Sequence, residues 1–258
     1  MADAMPASFS ITAPSGMPMV TADDDLAWLI ADTLDNSGIT LEDGDIVAVA
    51  QKVVSKAEGR MVALDSVTPS ARAREIAGIA DKDPRLVELI LSETDEVLRV
   101  RRGVIIVRHR LGFVLANAGI DQSNVDHGDG AEALLLPRDP ELSSANLRKA
   151  LQARTGVRIA TMIIDSFGRA WRNGTIGTAI GVSGMPGLHD LRGTPDLFGR
   201  ALQTSEIGLA DEVAAAASLL MGQADEGRPV VVIRGLTYAL REGSAAELLR
   251  QKDLDLFQ

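Results

Sequence analysis

The sequence predicts a mixed α+β fold, non-Rossmann and non-P-loop, in which two interlocked lobes form a single domain over residues 1–258. Apolar, β-branched stretches alternate with segments of helical spacing, which is typical of a protein with both strands and helices. Hairpin patterns are mixed with crossover patterns, and this mixture does not fit a regular doubly wound sheet. No linker is long enough to separate independent domains, and the length suits one large domain or two interlocked lobes.

Periodicity, turn residues and β-branched content predict the individual elements after a short flexible lead-in over residues 1–15. Helical spacing predicts helices over residues 24–34, 69–80, 84–98, 146–155, 207–221 and, as a closing helix, 245–258. Apolar, β-branched runs predict strands over residues 45–54, 103–108, 112–116, 157–165, 177–183 and 229–233. The second and third of these strands are expected to pair as a hairpin.

Composition and charge exclude several classes of protein. The chain has no Cys, which excludes thiolate metal sites and a thiol nucleophile. A net charge of −10 and an aromatic content of 3% argue against a nucleic-acid partner. No apolar run reaches the length of a membrane span, and the N-terminus lacks the pattern of a signal peptide. We therefore expect a cytoplasmic enzyme with neither a nucleic-acid nor a membrane partner.

Two polar clusters suit a phosphate ligand, although the sequence has no P-loop and no dinucleotide-binding glycine motif after its first strand. Residues 51–60 hold two lysines and an arginine directly after a predicted strand. Such charges bind phosphate oxygens, but they also protect the edge of a sheet. Residues 221–229 lie between a helix and a strand, and taken alone this cluster is better explained by a glycine cap and a polar turn.

Two further clusters offer oxygen ligands for a metal ion. Asp121 and Asn124 lie in a predicted loop, and short oxygen ligands of this type suit Mg²⁺ or Mn²⁺. An ordinary acidic turn is the alternative. Asp165 and Ser166 end a predicted strand just before two arginines, so they are candidates for a metal that bridges phosphates, although a structural Asp at a strand end is also common.

Seven stretches carry a resemblance that runs from near the N-terminus to near the end of the chain. They are GMPMV (16–20), VVSKAEGR (53–60), ANAGIDQSNVD (116–126), LLPRDP (135–140), IIDSFGRAWRNGTIGTAIGVSG (163–184), DLRGTPDLFGR (190–200) and MGQADEGRPVVVIRG (221–235). Together they resemble the F420-0:gamma-glutamyl ligase family. The resemblance implies a GTP-dependent enzyme of F420 biosynthesis that adds L-glutamate to the deazaflavin coenzyme F420-0.

The resemblance also implies a set of site residues. The expected GTP contacts are Met17, Pro18, Met19, Val20, Gln51, Lys56, Asn124, Met221, Gly222, Gln223, Ala224, Asp225, Glu226, Gly227 and Arg228. The expected ligands of two divalent cations, Mg²⁺ or Mn²⁺, are Asp121, Asp165, Ser166 and Gln223. Asp121, Asp165 and Lys56 are the expected catalytic residues. K⁺ is a further candidate ion, and a homodimer is expected. Gln51 and Gln223 depart from the hydroxyl and acidic residues expected at their positions.

A phosphorylated carboxylate suits this chemistry, because amide formation is uphill in water and the chain has no Cys for a thioester. GTP would phosphorylate F420-0, glutamate would displace the phosphate, and GDP would be the other product. Arg169 and Arg172 are candidates, from their charge and their proximity to Asp165, for binding the acceptor or glutamate. Two alternatives use the same residues: a metal-dependent phosphohydrolase that acts with water, and a GTP-binding regulatory module without catalysis.

Overall fold

The computed structural model describes residues 7–121 and 131–255, and it has the mixed α+β architecture that the sequence predicts. The helices in these ranges are α1 (Leu26–Asn36), α2 (Gln51–Ala57), α3 (Ala71–Ala80), α4 (Pro84–Ser92), α5 (Pro140–Thr155) and α6 (Leu209–Met221). The strands are β1 (Ser10–Thr12), β2 (Ile46–Ala50), β3 (Met61–Ala63), β4 (Thr94–Arg101), β5 (Val104–His109), β6 (Val114–Ala116), β7 (Glu132–Leu134), β8 (Ala160–Arg169), β9 (Arg172–Ser183), β10 (His189–Asp190), β11 (Glu206–Ile207) and β12 (Val230–Arg234).

Over the described residues, the central sheet has the strand order β1-β12-β2-β8-β9. Strands β2 and β8 are parallel, with Ala50 opposite Ile164, whereas the other neighbours are antiparallel. Parallel strands bring their carboxyl ends to the same edge of a sheet. Gln51, the residue after Ala50, and Asp165, the residue after Ile164, therefore lie side by side. This one parallel pair positions the site described below.

Alternate residues of the central strands face opposite layers of the core. Val47 and Val49 of β2 face a layer that contains buried residues of α1 and α5, whereas Ile46 and Ala48 face a layer that contains α6. Both faces of the strand are thus covered, which explains why its sequence is a continuous apolar run rather than an alternating one.

The chain from α3 to β6 forms the second lobe. Strands β4, β5 and β6 form an antiparallel sheet, and helices α3 and α4 contact its strand β4. Val87 of α4 and Val107 of β5 belong to the same buried cluster as Val47 of the central sheet, so the two lobes share a core. None of the helices in the described ranges is long and apolar enough to cross a membrane.

A buried carboxylate fastens this lobe to the segment after α2. The Arg60 guanidinium donates to Glu93 at 2.8 Å, and that of Arg110 donates to the same carboxylate at 2.9 Å. Burial alone would raise the pKa of Glu93, but the His109 ring nitrogen 3.4 Å away, the hydrogen bond from Arg60 and the charges of Arg60 and Arg110 lower it to about 2. Glu93 is therefore ionised in the folded protein at neutral pH.

Two predicted elements change type part-way along. The strand predicted over 45–54 ends at Ala50, and α2 begins at the next residue. The adjacent valines at 53 and 54 favoured a strand, but the buried residues of α2 are Gln51, Val54 and Ser55, which is helical spacing. The helix predicted over 84–98 ends at Ser92, because the following residues pair with β5 as strand β4.

The chain ends also differ from the prediction. Residues 10–12 of the expected lead-in form β1, which pairs with β12 at the edge of the central sheet. In place of the closing helix over 245–258, the described part of the tail has short 3₁₀ turns at Ala245–Leu248 and Lys252–Leu254. Leu249, between these turns, packs against the main core, so tertiary contact fixes the tail without a helix.

Candidate functional site

A cavity of about 470 Å³ opens at the carboxyl edge of β2 and β8. Its walls come from the stretch before α1, from helix α2, from neighbouring residues of β8 and β9, and from the end of α6 with the loop that follows it. Residues 17–20, Gln51, Lys56 and residues 221–228 all line it. The structure thus brings together every expected GTP contact that lies in the described residues, in a space of the size that small-molecule sites occupy.

Helix α2 presents two lysines to the cavity. Lys52 and Lys56 are four residues apart, so they lie on one face of the helix, and both line the cavity. Gln51 is buried and accepts a hydrogen bond from Ser55 Oγ at 2.9 Å through its side-chain oxygen. The backbone N–H of Ala50 donates to Pro229 O at 2.8 Å, which ties the start of α2 to the loop after α6.

Lys52 interacts with both Asp121 and Asp165; Asp165 lines the cavity with Lys52, whereas Asp121 is not part of the lining. The ammonium of Lys52 lies 2.7 Å from Asp121 Oδ2, and Asp121 is held to Leu134 by two backbone hydrogen bonds of 2.9–3.0 Å. Burial and, to a smaller extent, the charge of Asp121 raise the pKa of Asp165 to about 6, although the backbone N–H of Ser166 and the charge of Lys52 act in the opposite direction. The negative charge of Asp121 therefore makes Asp165 harder to ionise.

Ser166 and Gln223 complete an oxygen-rich edge. Ser166 Oγ donates to Gln223 Oε1 at 2.7 Å, which joins β8 to the loop after α6. Carboxylate, hydroxyl and amide oxygens are the donors that Mg²⁺ and Mn²⁺ prefer, so the donor chemistry fits a divalent ion here. Within the ranges that the structure describes, no group of three or more His, Asp or Glu side chains could hold a metal. An ion bound by the expected residues would therefore depend on the neutral donors as well.

The loop after α6 is held by hydrogen bonds from its own backbone to the carboxylate of Glu226. Ala224 N donates to Glu226 Oε2 at 2.9 Å, and hydrogen bonds from the backbone N–H groups of Ala224, Glu226 and Gln223 lower the pKa of Glu226. Gly222 has φ +75° and ψ −176°, and a Cβ at this position would overlap the Glu226 carboxyl group. Only glycine readily adopts this conformation, and only glycine leaves space for that carboxylate.

Comparison with known proteins decides the family. Residues 16–235 match the sequence model of the F420-0:gamma-glutamyl ligase family. The chain belongs to this family. Coenzyme F420:L-glutamate ligase of Methanothermobacter thermautotrophicus is 48% identical over 96% of this chain and 98% of that protein. The ligases of the same name from Methanocaldococcus jannaschii and Archaeoglobus fulgidus are 43% and 42% identical, over 84% and 94% of this chain and 86% and 94% of their own lengths.

Some expected site residues of this F420-0:gamma-glutamyl ligase family member lie elsewhere. Asn124 falls outside the described residues, so its role stays a prediction. Arg169 and Arg172 do not line the cavity. They pair with each other at the exposed tip of the β8–β9 hairpin, because β8 continues past Asp165 instead of ending there as predicted. Their role in binding F420-0 or glutamate therefore stays a prediction.

Lys52 is the site residue that the sequence analysis missed. It was noted only as one charge in a cluster, and the prediction of a strand over 45–54 gave no reason to place it with Lys56. The helical spacing of the two lysines was the available signal. Gly177 also lines the cavity, and a Cβ there would overlap Ala214 O, so this glycine lets α6 approach β9 closely.

Proposed function

We propose that this ligase-family member joins L-glutamate to the deazaflavin coenzyme F420-0 and drives the reaction with GTP. Family membership and the relatives' names support the acceptor and the amino acid. The observation that carries the rest is the interaction of Lys52 with both Asp121 and Asp165, beside a cavity lined by every described GTP contact that the family resemblance implies.

The mechanism follows from the energetics of amide formation. A carboxylate oxygen of F420-0 attacks the γ-phosphorus of GTP, the bond to the β-phosphate oxygen breaks, and GDP leaves. The glutamate amine then attacks the acyl carbon, loses a proton and expels inorganic phosphate. Phosphoryl transfer depends mainly on positioning and charge neutralisation, so the protein needs cationic groups near the phosphates rather than a nucleophile of its own.

The residues have distinct parts in this scheme. Lys56 places a positive charge at the phosphate tail, and residues 17–20 and 221–228 enclose the nucleotide. Asp121, Asp165, Ser166 and Gln223 would hold divalent cations, Mg²⁺ or Mn²⁺. Such ions, when bound, neutralise phosphate charge and orient the reacting oxygens. The proposal includes two divalent ions, K⁺ as an accessory ion, a homodimer and a cytoplasmic location.

Product analysis separates this proposal from its alternatives. The protein is incubated with GTP and Mn²⁺, with and without F420-0 and L-glutamate, and products are identified by mass spectrometry. The ligase proposal expects a glutamyl-extended deazaflavin and GDP only when both substrates are present. Phosphate release without glutamate would favour the phosphohydrolase, whereas GTP binding without any turnover would favour the regulatory module.

Substitution of the acidic pair tests the site itself. Asp121→Asn and Asp165→Asn are each expected to abolish ligation, with circular dichroism like that of the parent, because each removes one of the two site carboxylates with little change in volume. Asp253→Asn, at an exposed position of the tail, is the matched control and keeps full activity. Normal ligation by either site variant would refute the role of the pair.

A further inference from the structure

We propose that Lys52 is the resident counter-ion of the Asp121–Asp165 pair and that a divalent cation displaces it from Asp121. The inference rests on the proposed function only in taking that cation to be the one that the reaction uses. It concerns the state of the site before the nucleotide binds, and it assigns Lys52 a role in metal binding.

The contact between Lys52 and Asp121 is direct. The ammonium lies 2.7 Å from Asp121 Oδ2, and the two side chains retain 28% and 27% of their exposure. The positive charge of Lys52 also acts on Asp165, so one ammonium serves both carboxylates. The position is thus neither fully exposed, where the pair would be screened by water, nor sealed from an incoming ion.

The backbones on both sides of this contact are fixed. Lys52 lies in α2, which continues directly from a central strand, and Asp121 is bridged to Leu134 by two backbone hydrogen bonds. Separation of the pair therefore requires movement of side chains only. The lysine side chain has a flexible four-carbon stem, so its ammonium can move while Cα stays in place.

A divalent ion and the ammonium compete for the same oxygen atoms. Mg²⁺ and Mn²⁺ bind to the lone pairs of carboxylate oxygens. Asp121 Oδ2, which such an ion would use, is already in an ion pair with the Lys52 ammonium. Two cations on one carboxylate repel each other, and this repulsion is strongest where water is partly excluded. Binding of the ion at Asp121 therefore favours release of Lys52.

The released ammonium remains in the cavity. Lys52 and Lys56 lie one helical turn apart on the same wall, so a freed Lys52 adds a second positive charge where the phosphates are expected. Metal binding would thereby prepare the cavity for the nucleotide. This coupling favours an order in which a divalent ion binds first and the nucleotide follows.

Mn²⁺ binding to the full chain, measured calorimetrically without nucleotide, tests the competition. Lys52→Met is expected to bind Mn²⁺ about five- to tenfold more tightly than the parent protein, because the competitor is gone. Lys52→Arg, which keeps the charge, is expected to bind no more tightly than the parent. Lys56→Met removes a charge from the same wall and controls for the general field, and Lys149→Met does so on an exposed face of α5.

The outcomes are decisive in both directions. Unchanged or weaker Mn²⁺ binding by Lys52→Met would overturn the inference, and so would an equal gain in Lys56→Met, which would indicate a general charge effect. These results leave the ligase proposal standing if the parent protein still forms the glutamyl product. Conversely, tighter binding by Lys52→Met with no product from the parent would support the competition and refute the proposed function.

A measurement on the unsubstituted protein covers the case in which Lys52→Met does not fold. Acetylation of lysines is followed by peptide mass spectrometry with and without Mg²⁺, with Lys149 as the internal reference. Release from Asp121 is expected to raise the modification rate of Lys52 relative to Lys149 when Mg²⁺ is added. A rate for Lys52 that stays constant or falls would contradict displacement.

Discussion

Substitution of Gly222 by alanine is expected to weaken GTP binding much more than it lowers the stability of the fold. Gly222 has φ +75° and ψ −176°, a region of backbone conformation that costs a residue with a side chain about 1–3 kcal/mol. The added Cβ would also displace the Glu226 carboxyl group from its contacts with the backbone of residues 223 and 224.

The exposed loop can relax to relieve the strain of an alanine at 222 while the cavity is empty. Nucleotide binding would then require the strained conformation, so the cost is expected to appear as a loss of nucleotide affinity. A cost of about 1–3 kcal/mol corresponds to a dissociation constant raised about 5- to 150-fold. Binding of a non-hydrolysable GTP analogue, measured calorimetrically, gives this ratio. The thermal midpoint of unfolding is expected to change little, because loop residues 222–228 belong to none of the buried clusters and only the preceding residue, Met221, does.

Two controls make the reasoning about Gly222 refutable. Gly227→Ala lies in the same loop at φ +63°, but a Cβ there meets no side chain within 4 Å, so its effect is expected to be smaller. A Glu226→Ala background removes the carboxyl group that the new Cβ would overlap, and Gly222→Ala is expected to lose part of its effect there. Parent-like affinity in Gly222→Ala, or an equal loss in Gly227→Ala, would show that the loop conformation does not matter for GTP.

Three further predictions concern stability and metal affinity. Because the pKa of Glu93 is lowered to about 2, its stabilisation is present above the unfolded value of about 4.5 and is lost as the pH falls toward 2. Glu93→Gln is expected to lower the free energy of unfolding at pH 7 by about 3 kcal/mol, with a difference that shrinks in urea titrations at lower pH; a constant difference would contradict this account. Gly177→Ala is expected to lower the melting temperature by several degrees because its Cβ overlaps α6, whereas Gly168→Ala in the same hairpin has open space and serves as the control; equal effects would refute the packing argument. Gln223→Glu is expected to bind Mn²⁺ several-fold more tightly, since an anionic oxygen replaces a neutral one, and calorimetry showing no gain would exclude Gln223 as a ligand.

Local pattern was sufficient for most of the fold. The apolar, β-branched runs that became β5, β8 and β12 and the Ala-rich stretch that became α6 were predicted from period and composition. The pattern failed where two elements join without a turn. Ala50 passes directly into α2, and Glu93 stands between α4 and β4, so neither boundary carries the glycine or proline that would have revealed it.

The candidate site was predictable only as a set of separate segments. Lys56, Asp121 and Asp165 each follow or end an apolar stretch, but the first and the last come together through the parallel pairing of β2 with β8, which are more than 100 residues apart. Asp121 is positioned separately, by its bridge to Leu134 of β7. No local pattern fixes such a long-range pairing. The extension of β8 past Asp165 was equally hidden, and it places Arg169 at a hairpin tip, outside the lining of the cavity.

The fate of the acceptor's carboxylate oxygen tests the central claim most directly. F420-0 carrying a heavy oxygen isotope in its reactive carboxylate is incubated with GTP, L-glutamate and Mn²⁺, and the inorganic phosphate is analysed by mass spectrometry. Activation at the Asp121–Asp165 site predicts one labelled oxygen in each phosphate released, and neither product nor labelled phosphate with Asp165→Asn. Glutamyl product accompanied by unlabelled phosphate, or label transfer undiminished in that variant, would contradict the account.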